Sequence, residues 1–184
     1  MNYPGGIKRG FTKTVKYENR GMILEDELNR TNEYYLSNNI ASIYKKPTPI
    51  KIVKVDYPNR SEAKIVEAYF KTPSTTDYNG IYRGKYIDFE AKETKGSNFP
   101  LANIHKHQIE HLKTIRALKG IGFIIVLFTD INEIYLLGID ELDEFISNNT
   151  RKSIPLDYFK SKGYKLNYKL HFIDYLKIID GVYF

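Results

Sequence analysis

An uninterrupted apolar run, Gly120 to Phe128, is the feature of this sequence that most restricts its fold. Its larger part, Gly122 to Phe128, is rich in β-branched and aromatic residues, a composition that favours a strand buried on both faces of a sheet. The run is too short to cross a membrane as a helix, which takes roughly 18 or more apolar residues. With 184 residues, the chain is expected to form one globular domain around this strand.

The spacing of apolar residues predicts further helices and strands on both sides of the run. Helical patterns lie at 19–38, 104–118 and 140–145, and strand patterns lie at 40–44, 50–55, 63–70, 84–91 and 134–139. The two strands that flank Pro58 are predicted to form a hairpin. The dipeptide Asn79-Gly80 predicts a second hairpin turn. This order predicts an α/β domain with a central mixed sheet, whereas the sequence after residue 145 indicates only an edge strand.

Basic residues outnumber acidic ones, which favours an anionic partner such as nucleic acid or a membrane surface. The formal net charge is +6. The segment 120–149 contains acids but neither Lys nor Arg, so the rest of the chain is more basic still, and we expect the acidic segment to face away from DNA. Residues 1–18 are rich in glycine and basic residues and predict a flexible basic arm, followed by a single domain over 19–184.

The sequence contains no cysteine, which excludes disulfides, thiolate zinc sites and iron–sulfur clusters. Any bound metal must therefore be held by oxygen or histidine, which favours a hard cation. His107 and His111 have the helical i, i+4 spacing of a zinc-binding pair, but a basic helix that faces DNA or solvent explains them better. Because the N-terminus has no apolar signal segment, we expect a cytoplasmic protein.

Charged and apolar residues alternate on the strand that follows the Asn-Gly turn. Asp88, Glu90 and Lys92 are two residues apart, so they share one face of that strand. Pairing across a hairpin would bring Asp77 towards Glu90. Two carboxylates with a neutral oxygen such as that of Thr75 form a partial ligand set for Mg²⁺, which prefers oxygen ligands. On spacing alone, a solvated strand face without a metal explains the same pattern.

The spacing of Asp77, Glu90 and Lys92 matches the metal site of the PD-(D/E)XK nucleases. The surrounding sequence closely resembles the RecU family of bacterial Holliday-junction resolvases over roughly residues 19–139. The segments that carry the resemblance are Asn19 to Met22, Lys46 to Ile50, Val55 to Pro58, Glu67 to Phe70, Pro73 to Gly80, Ile87 to Thr94, Phe99 to Leu101 and His105 to Ile109.

The resemblance implies a restriction-endonuclease-like fold, an α/β fold with a central mixed β-sheet flanked by helices and a projecting β-hairpin stalk. It implies a homodimer that uses Mg²⁺, with Mn²⁺ as an alternative, to nick four-way DNA junctions symmetrically in homologous recombination and DNA repair. The implied metal ligands are Thr75, Asp77, Glu90 and Gln108, and Lys92 is implied to stabilise the transition state. Further implied partners are a RecA-type recombinase and a branch-migration helicase.

The resemblance also assigns the stalk to about 54–72 and places it near the junction. Basic and aromatic side chains suit the open centre of a junction, where unstacked bases and phosphates come together. An exposed hairpin with a half-buried aromatic face is the alternative interpretation. The predicted DNA contacts are Arg60, Lys64, Tyr69 and Phe70 on the stalk, and Arg20 near the basic arm.

Two other functions are consistent with the same residues. A non-cutting junction-binding protein that modulates a recombinase would use the same basic surface, but it has no need of clustered acids beside a polyanion. A restriction-type endonuclease would cut duplex DNA, but the RecU-like stalk argues against it. For the resolvase, hydrolysis is predicted to leave 5′-phosphate and 3′-hydroxyl ends.

Overall fold

The structure, a computed structural model, describes residues 22–59, 63–70, 75–169 and 172–184. Within these ranges the helices are α1 (Met22–Ser37), α2 (Lys106–Ala117), α3 (Ile139–Asn148), α4 (Leu156–Lys162) and α5 (Leu176–Tyr183). The strands are β1 (Ser42–Lys45), β2 (Ile50–Asp56), β3 (Lys64–Phe70), β4 (Tyr78–Tyr82), β5 (Lys85–Thr94), β6 (Asn98–Pro100), β7 (Ile121–Phe128), β8 (Glu133–Gly138), β9 (Ser153–Pro155), β10 (Tyr164–Leu166), β11 (Tyr168–Lys169) and β12 (Phe172–Ile173).

A six-stranded sheet with the order β1-β4-β5-β7-β8-β10 forms the centre of the described part of the chain. Strand β7 pairs in parallel with β5 and antiparallel with β8, and every residue of β7 is buried. Helices α1 and α5 pack on one face of the sheet, and helices α2, α3 and α4 pack on the other. These findings confirm the predicted α/β class, with a mixed central sheet flanked by helices and a doubly buried strand at its centre.

The turn between β4 and β5 differs from the prediction. Asn79-Gly80 lies inside β4, and the chain reverses at Arg83 and Gly84, whose φ angles are +47° and +77°. Two positive φ angles define the turn type that matches the twist of a hairpin. Gly80 has a different role, since a Cβ there would lie 2.1 Å from the carbonyl oxygen of Ser42 on the neighbouring strand. The glycine is therefore required for close strand packing and not for a turn.

The predicted hairpin around Pro58 is confirmed as the antiparallel pair β2–β3. Among the described residues, these two strands pair only with each other and are separate from the central sheet. Every residue of β2 is exposed, and so are the described side chains of β3. The pairing begins at Ile50, four residues before the predicted stalk boundary at 54. The hairpin therefore projects from the domain.

The chain after α3 contains more regular structure than its sequence indicates. Strand β10 is an edge strand of the central sheet, as predicted, but α4 and α5 were not predicted. Tyr175, just before α5, is fully buried and its ring contacts the rings of Phe89 and Phe123. These contacts tie the C-terminal part of the chain to β7 and to β5, the strand that carries Glu90 and Lys92.

Acidic residues of α3 pair with basic residues of α2. The side chain of Arg116 lies 2.7 Å from Asp140, and that of Lys113 lies 2.9 Å from Asp143. The orientation of this acidic segment relative to DNA stays a prediction. The predicted basic arm at 1–18 lies outside the described residues. None of the helices in the described ranges has an apolar stretch long enough to cross a bilayer.

Candidate active site

The pairing of β4 with β5 brings the two predicted catalytic carboxylates together. Tyr78 is opposite Phe89 in this antiparallel pair, so the preceding Asp77 lies beside Glu90. The Asp77 carboxylate accepts a hydrogen bond of 3.1 Å from the backbone N–H of Ala91. This bond fixes Asp77 against the strand that carries Glu90, at the end of β4 away from the turn.

Glu90 is fully buried and has an unusual set of contacts. Its Oε1 atom accepts a 2.7 Å hydrogen bond from the side-chain amide of Gln108 and pairs with the ammonium group of Lys92. Its Oε2 atom is also buried and has no hydrogen-bond partner among the described residues. A buried carboxylate oxygen without a donor is costly, and a cation satisfies it well.

The pKa of the Glu90 carboxyl is raised to about 7, mainly because the group is buried. The negative charge of Asp77 contributes to the increase, while Lys92 and the Gln108 amide oppose it. Desolvation and a neighbouring like charge both disfavour the ionised form of an acid. A divalent cation between the two carboxylates would reverse this effect, because it interacts favourably with both negative charges.

Gln108 reaches Glu90 from the first turn of α2. Its amide nitrogen donates to Glu90, and its amide oxygen accepts a 2.9 Å hydrogen bond from the backbone N–H of His105. The second bond is part of a capping box that begins the helix. In this geometry Gln108 orients Glu90, and ligation of a metal by its oxygen would require the amide to turn over.

Thr75 is two residues before Asp77 in the sequence, but in the structure the two side chains make different contacts. Thr75 is exposed, and its hydroxyl oxygen accepts a 3.0 Å hydrogen bond from the ammonium group of Lys46. Lys46 also donates its backbone N–H to the carbonyl oxygen of Asp77, at 2.7 Å. Sequence reasoning did not assign a role to Lys46, which holds both ends of the segment that carries these two predicted ligands.

A cavity of about 460 Å³ opens beside Asp77. Asp77 and Lys92 line it together with Glu25 from α1 and Lys95. Glu25 is not among the ligands predicted from the sequence. In the structure Glu25 forms an ion pair with Lys45 at the edge of this cavity. The cavity is large enough to admit a phosphate group next to Asp77 and Lys92.

Asp88 also differs from the expectation of a half-exposed strand face. It shares its face of β5 with Glu90, as the alternation predicts, but it is fully buried. Its carboxylate contacts Lys46, Thr76, Tyr86 and His111. The alternating pattern placed Asp88 on the correct face, but no signal in the sequence showed that α2 covers it.

The histidines of α2 are not gathered around a common point. His111 lies 3.0 Å from Asp88, whereas the rings of His105 and His107 stack on each other with their centroids 5.4 Å apart. Within the described ranges, no group of three or more His, Asp and Glu side chains is placed to hold a metal ion. A metal beside Asp77 and Glu90 would therefore be completed by neutral oxygens and water.

The predicted stalk residues are only partly described. Lys64 and Tyr69 are both exposed on β3, and the Tyr69 hydroxyl donates a 2.8 Å hydrogen bond to Glu67. Phe70 belongs to β3. Arg60 and Arg20 lie outside the described residues. Tyr69 is therefore available to a DNA partner on the side of the hairpin that faces solvent.

Similarity to known proteins extends over most of the chain. A family model described as recombination protein U, RecU, matches residues 19–181. The chain belongs to the RecU family. The match includes both strands of the site, helix α2 and the hairpin, and it extends through the C-terminal part, where the resemblance seen in the sequence was less clear.

Curated RecU relatives are similar over nearly their full length. The chain is 58% identical over 197 residues to the Holliday junction resolvase RecU of Bacillus cytotoxicus, with 100% of this chain and 98% of that protein covered. It is 52% identical over 195 residues to the protein of the same name from Pediococcus pentosaceus, with 99% and 97% covered. Among solved structures, Hjc, a Holliday junction resolvase from Archaeoglobus fulgidus, matches with a TM-score of 0.47 and 12% identity, over 77% of this chain and 93% of that one.

Proposed function

We propose that this RecU protein is a magnesium-dependent Holliday junction resolvase, an endodeoxyribonuclease that cuts four-way DNA junctions in recombination and repair. The observation that carries the proposal is the position of Asp77 beside a buried Glu90, with one oxygen of Glu90 lacking a donor and Lys92 adjacent. Acids placed on a protein that binds a polyanion are unfavourable unless a cation lies between them and the substrate. The names of its relatives support the substrate.

Each residue of the site has a role in this proposal. Asp77 and Glu90 would hold Mg²⁺, and Thr75 and Gln108 would contribute neutral oxygens if their present hydrogen bonds are exchanged. When bound, the metal supplies an activated water and charge stabilisation for phosphodiester hydrolysis. Lys92 holds a positive charge at the cavity beside Asp77, where it can stabilise the charge that develops on the phosphate.

We also propose that the protein acts as a homodimer and that the hairpin takes part in the contact. Two symmetric nicks require two active sites, which a twofold dimer supplies. An isolated two-stranded hairpin is marginally stable, and this one exposes apolar side chains along both of its strands. Those between 41% and 58% exposed are Ile50, Ile52, Val53, Val55, Ile65 and Val66. Covering some of these side chains with a second copy would stabilise the hairpin, and sedimentation equilibrium of the full chain tests the expected dimer mass.

Interaction with a RecA-type recombinase and a branch-migration helicase stays a proposal that rests on the family. So does a cytoplasmic location at the nucleoid. A recombinase-modulating protein that binds junctions without cutting them is the second candidate, and a restriction-type duplex nuclease is the third.

The proposed function is tested by offering the protein a four-way junction and the matching linear duplex, first with Mg²⁺ and then with Ca²⁺. We expect cleavage of the junction with Mg²⁺ only and an intact duplex. Binding without cleavage under both conditions would favour the recombinase-modulating candidate. Cleavage of the duplex at a defined sequence would favour the restriction-type nuclease.

The pKa of Glu90 predicts how stability depends on pH without divalent metal. The folded state binds a proton at Glu90 up to pH of about 7, whereas the unfolded chain loses it near its ordinary value of 4.5. The folded state therefore holds more protons in this window, and the free energy of unfolding should fall as pH rises from about 4.5 to 7. Glu90→Gln should remove this loss and stabilise the protein at pH 8 by about 3 kcal/mol, as measured by urea unfolding.

The same stability measurement at pH 4 provides the control, because Glu90 is largely protonated in both states there and the variant should resemble wild type. An equal difference between wild type and Glu90→Gln at both pH values would contradict the raised pKa.

The exposed ring of Tyr69 predicts a contact with unstacked bases at the junction centre. Tyr69 is 61% exposed on β3. Stacking of a base on an aromatic ring contributes on the order of 1–3 kcal/mol, so Tyr69→Ala should weaken junction binding in Ca²⁺ by about tenfold and duplex binding much less. The measurement is fluorescence anisotropy on both substrates. Tyr164→Ala, on edge strand β10 of the central sheet, is the matched control. An equal loss on junction and duplex would refute a junction-specific contact.

A further inference from the structure

The buried carboxylate of Asp88 is the centre of a polar cluster next to the proposed active site. Its Oδ2 atom accepts a 2.8 Å hydrogen bond from the Lys46 ammonium group and one of 3.1 Å from the Tyr86 hydroxyl, and lies 3.0 Å from Nε2 of His111. Its Oδ1 atom accepts a hydrogen bond from the Thr76 hydroxyl. With both oxygens engaged by protein groups, Asp88 is not available as a metal ligand.

Two partners of Asp88, Thr76 and His111, belong to segments that carry candidate ligands. Thr76 lies between Thr75 and Asp77. His111 is on α2, one turn after Gln108. Asp88 itself is on β5, two residues before Glu90, so one side chain connects all three segments.

Lys46 makes further hydrogen bonds to the segment that contains Thr76. Besides Asp88, its ammonium group donates to the hydroxyls of Thr75 and Thr76. Its backbone N–H donates to the carbonyl oxygen of Asp77. The segment 75–77 is therefore held by Lys46 at three consecutive residues, and Lys46 is in turn held by the charge of Asp88.

Because the cluster is buried, losing any of these contacts costs free energy. Asp88 is fully buried, and only 15% of the Lys46 side chain is exposed. A buried charge is tolerated only with a close partner and further hydrogen bonds. A displacement of the 75–77 segment or of α2 would leave the Asp88 carboxylate without donors, so the cluster favours one arrangement of the segments around Glu90.

We propose that Asp88, acting through Lys46, Thr76 and His111, is a positioning residue that fixes Asp77 and Gln108 around Glu90 in the geometry that binds the catalytic metal. The inference rests on the metal site proposed above. Groups that orient metal ligands change metal affinity or activity by about 10–100-fold when they are removed. The same factor is expected here, although Asp88 touches neither metal nor substrate.

The test measures binding of Mn²⁺ alone to the full chain, by the loss of the free-ion signal in electron paramagnetic resonance. Asp88→Asn and Lys46→Met should each raise the dissociation constant of Mn²⁺ by about tenfold or more. Lys46→Met keeps most of the length of the side chain and leaves Asp88 in place, so it tests the contact if Asp88→Asn fails to fold. Thr31→Val is the matched control, since it removes a buried 3.0 Å hydrogen bond to the backbone of Ile173, far from the site.

Two further measurements separate positioning from general stability. Because Lys46 and Asp88 act as a unit, the double variant should bind Mn²⁺ no more weakly than the poorer single variant. Junction cleavage at saturating Mn²⁺ should recover in Lys46→Met, with most of the loss in the metal concentration that gives half-maximal rate. Thr31→Val should lower the melting temperature without changing Mn²⁺ binding.

The outcomes distinguish this inference from the proposed function. If wild type binds Mn²⁺ and cuts junctions, but both variants bind Mn²⁺ within twofold of wild type, the positioning role is wrong and the resolvase stands. If wild type does not bind Mn²⁺, the proposed metal site is wrong and the positioning role is wrong with it. Equal loss of Mn²⁺ binding in Thr31→Val would also overturn the inference, because a general loss of stability would then explain the weaker binding.

Discussion

Asp77→Asn is expected to reduce junction cleavage by about 10³-fold or more while junction binding in Ca²⁺ changes little. The substitution keeps the shape of the side chain at its position beside Glu90, but it removes one of the two carboxylate charges on which the proposed metal site depends. DNA affinity comes mainly from phosphate contacts with basic residues elsewhere on the protein. The comparison requires single-turnover cleavage in Mg²⁺ and anisotropy in Ca²⁺.

Glu93→Gln is the matched control for this substitution. Glu93 also lines the cavity, and its carboxylate accepts a 3.0 Å hydrogen bond from the N–H of Leu24, which a glutamine oxygen can equally accept. We expect cleavage by Glu93→Gln to stay close to that of wild type. Cleavage by Asp77→Asn at the wild-type rate would show that the carboxylate pair is not the metal site.

Lys92→Met is expected to lower the rate of cleavage by about 10²–10³-fold at saturating Mg²⁺. Lys92 lines the cavity with Asp77, and 28% of its side chain is exposed there, so its ammonium group can reach a bound phosphate. Its contact with Glu90 also lowers the pKa of that carboxyl. At Mg²⁺ concentrations below saturation, where a proton competes with the metal for Glu90, removing Lys92 should therefore also shift the rise of cleavage rate to higher pH.

Lys92→Arg distinguishes charge from shape in this role. The arginine keeps the positive charge, and we expect it to restore part of the rate and to move the pH profile back towards that of wild type. Lys165→Met, at the distant sheet edge, controls for the loss of one basic residue. A pH profile of Lys92→Met that coincides with that of wild type would contradict the proposed contact with Glu90.

The position of the catalytic pair illustrates what sequence can predict. A two-residue turn at Asn79-Gly80 would have placed Asp77 opposite Tyr82, whereas the turn at Arg83-Gly84 places it beside Glu90. The predicted proximity of Asp77 and Glu90 is therefore correct, although the turn was predicted at the wrong residues. The strand alternation of Asp88, Glu90 and Lys92 was correct because it depends only on the twofold period of a strand.

The contacts that complete the site could not be predicted in this way. Lys46 and His111 are far from Asp88 in sequence, and each meets it only when β1, α2 and β5 pack together. The raised pKa of Glu90 has the same origin, since burial by α2 and the approach of Asp77 both depend on tertiary structure.

The C-terminal part of the chain escaped prediction for a simpler reason. Strands β9 to β12 have two or three residues each, which is too short for a period to be recognised. Helix α5 packs its apolar residues on the face of the sheet opposite α2. Its helical pattern is hard to recognise in the sequence because the surrounding segment is rich in Lys and Tyr. By contrast, β7 was evident from its uninterrupted apolar run.

We propose that this RecU protein cuts the crossover of a four-way junction with two coordinated active sites. The most direct test maps the nicks on an immobile junction in which each of the four strands is labelled in turn. With Mg²⁺, we expect paired nicks at symmetric positions in two strands of like polarity, with 5′-phosphate and 3′-hydroxyl ends. No cleavage, or cuts in the duplex arms without symmetry about the crossover, would contradict the claim.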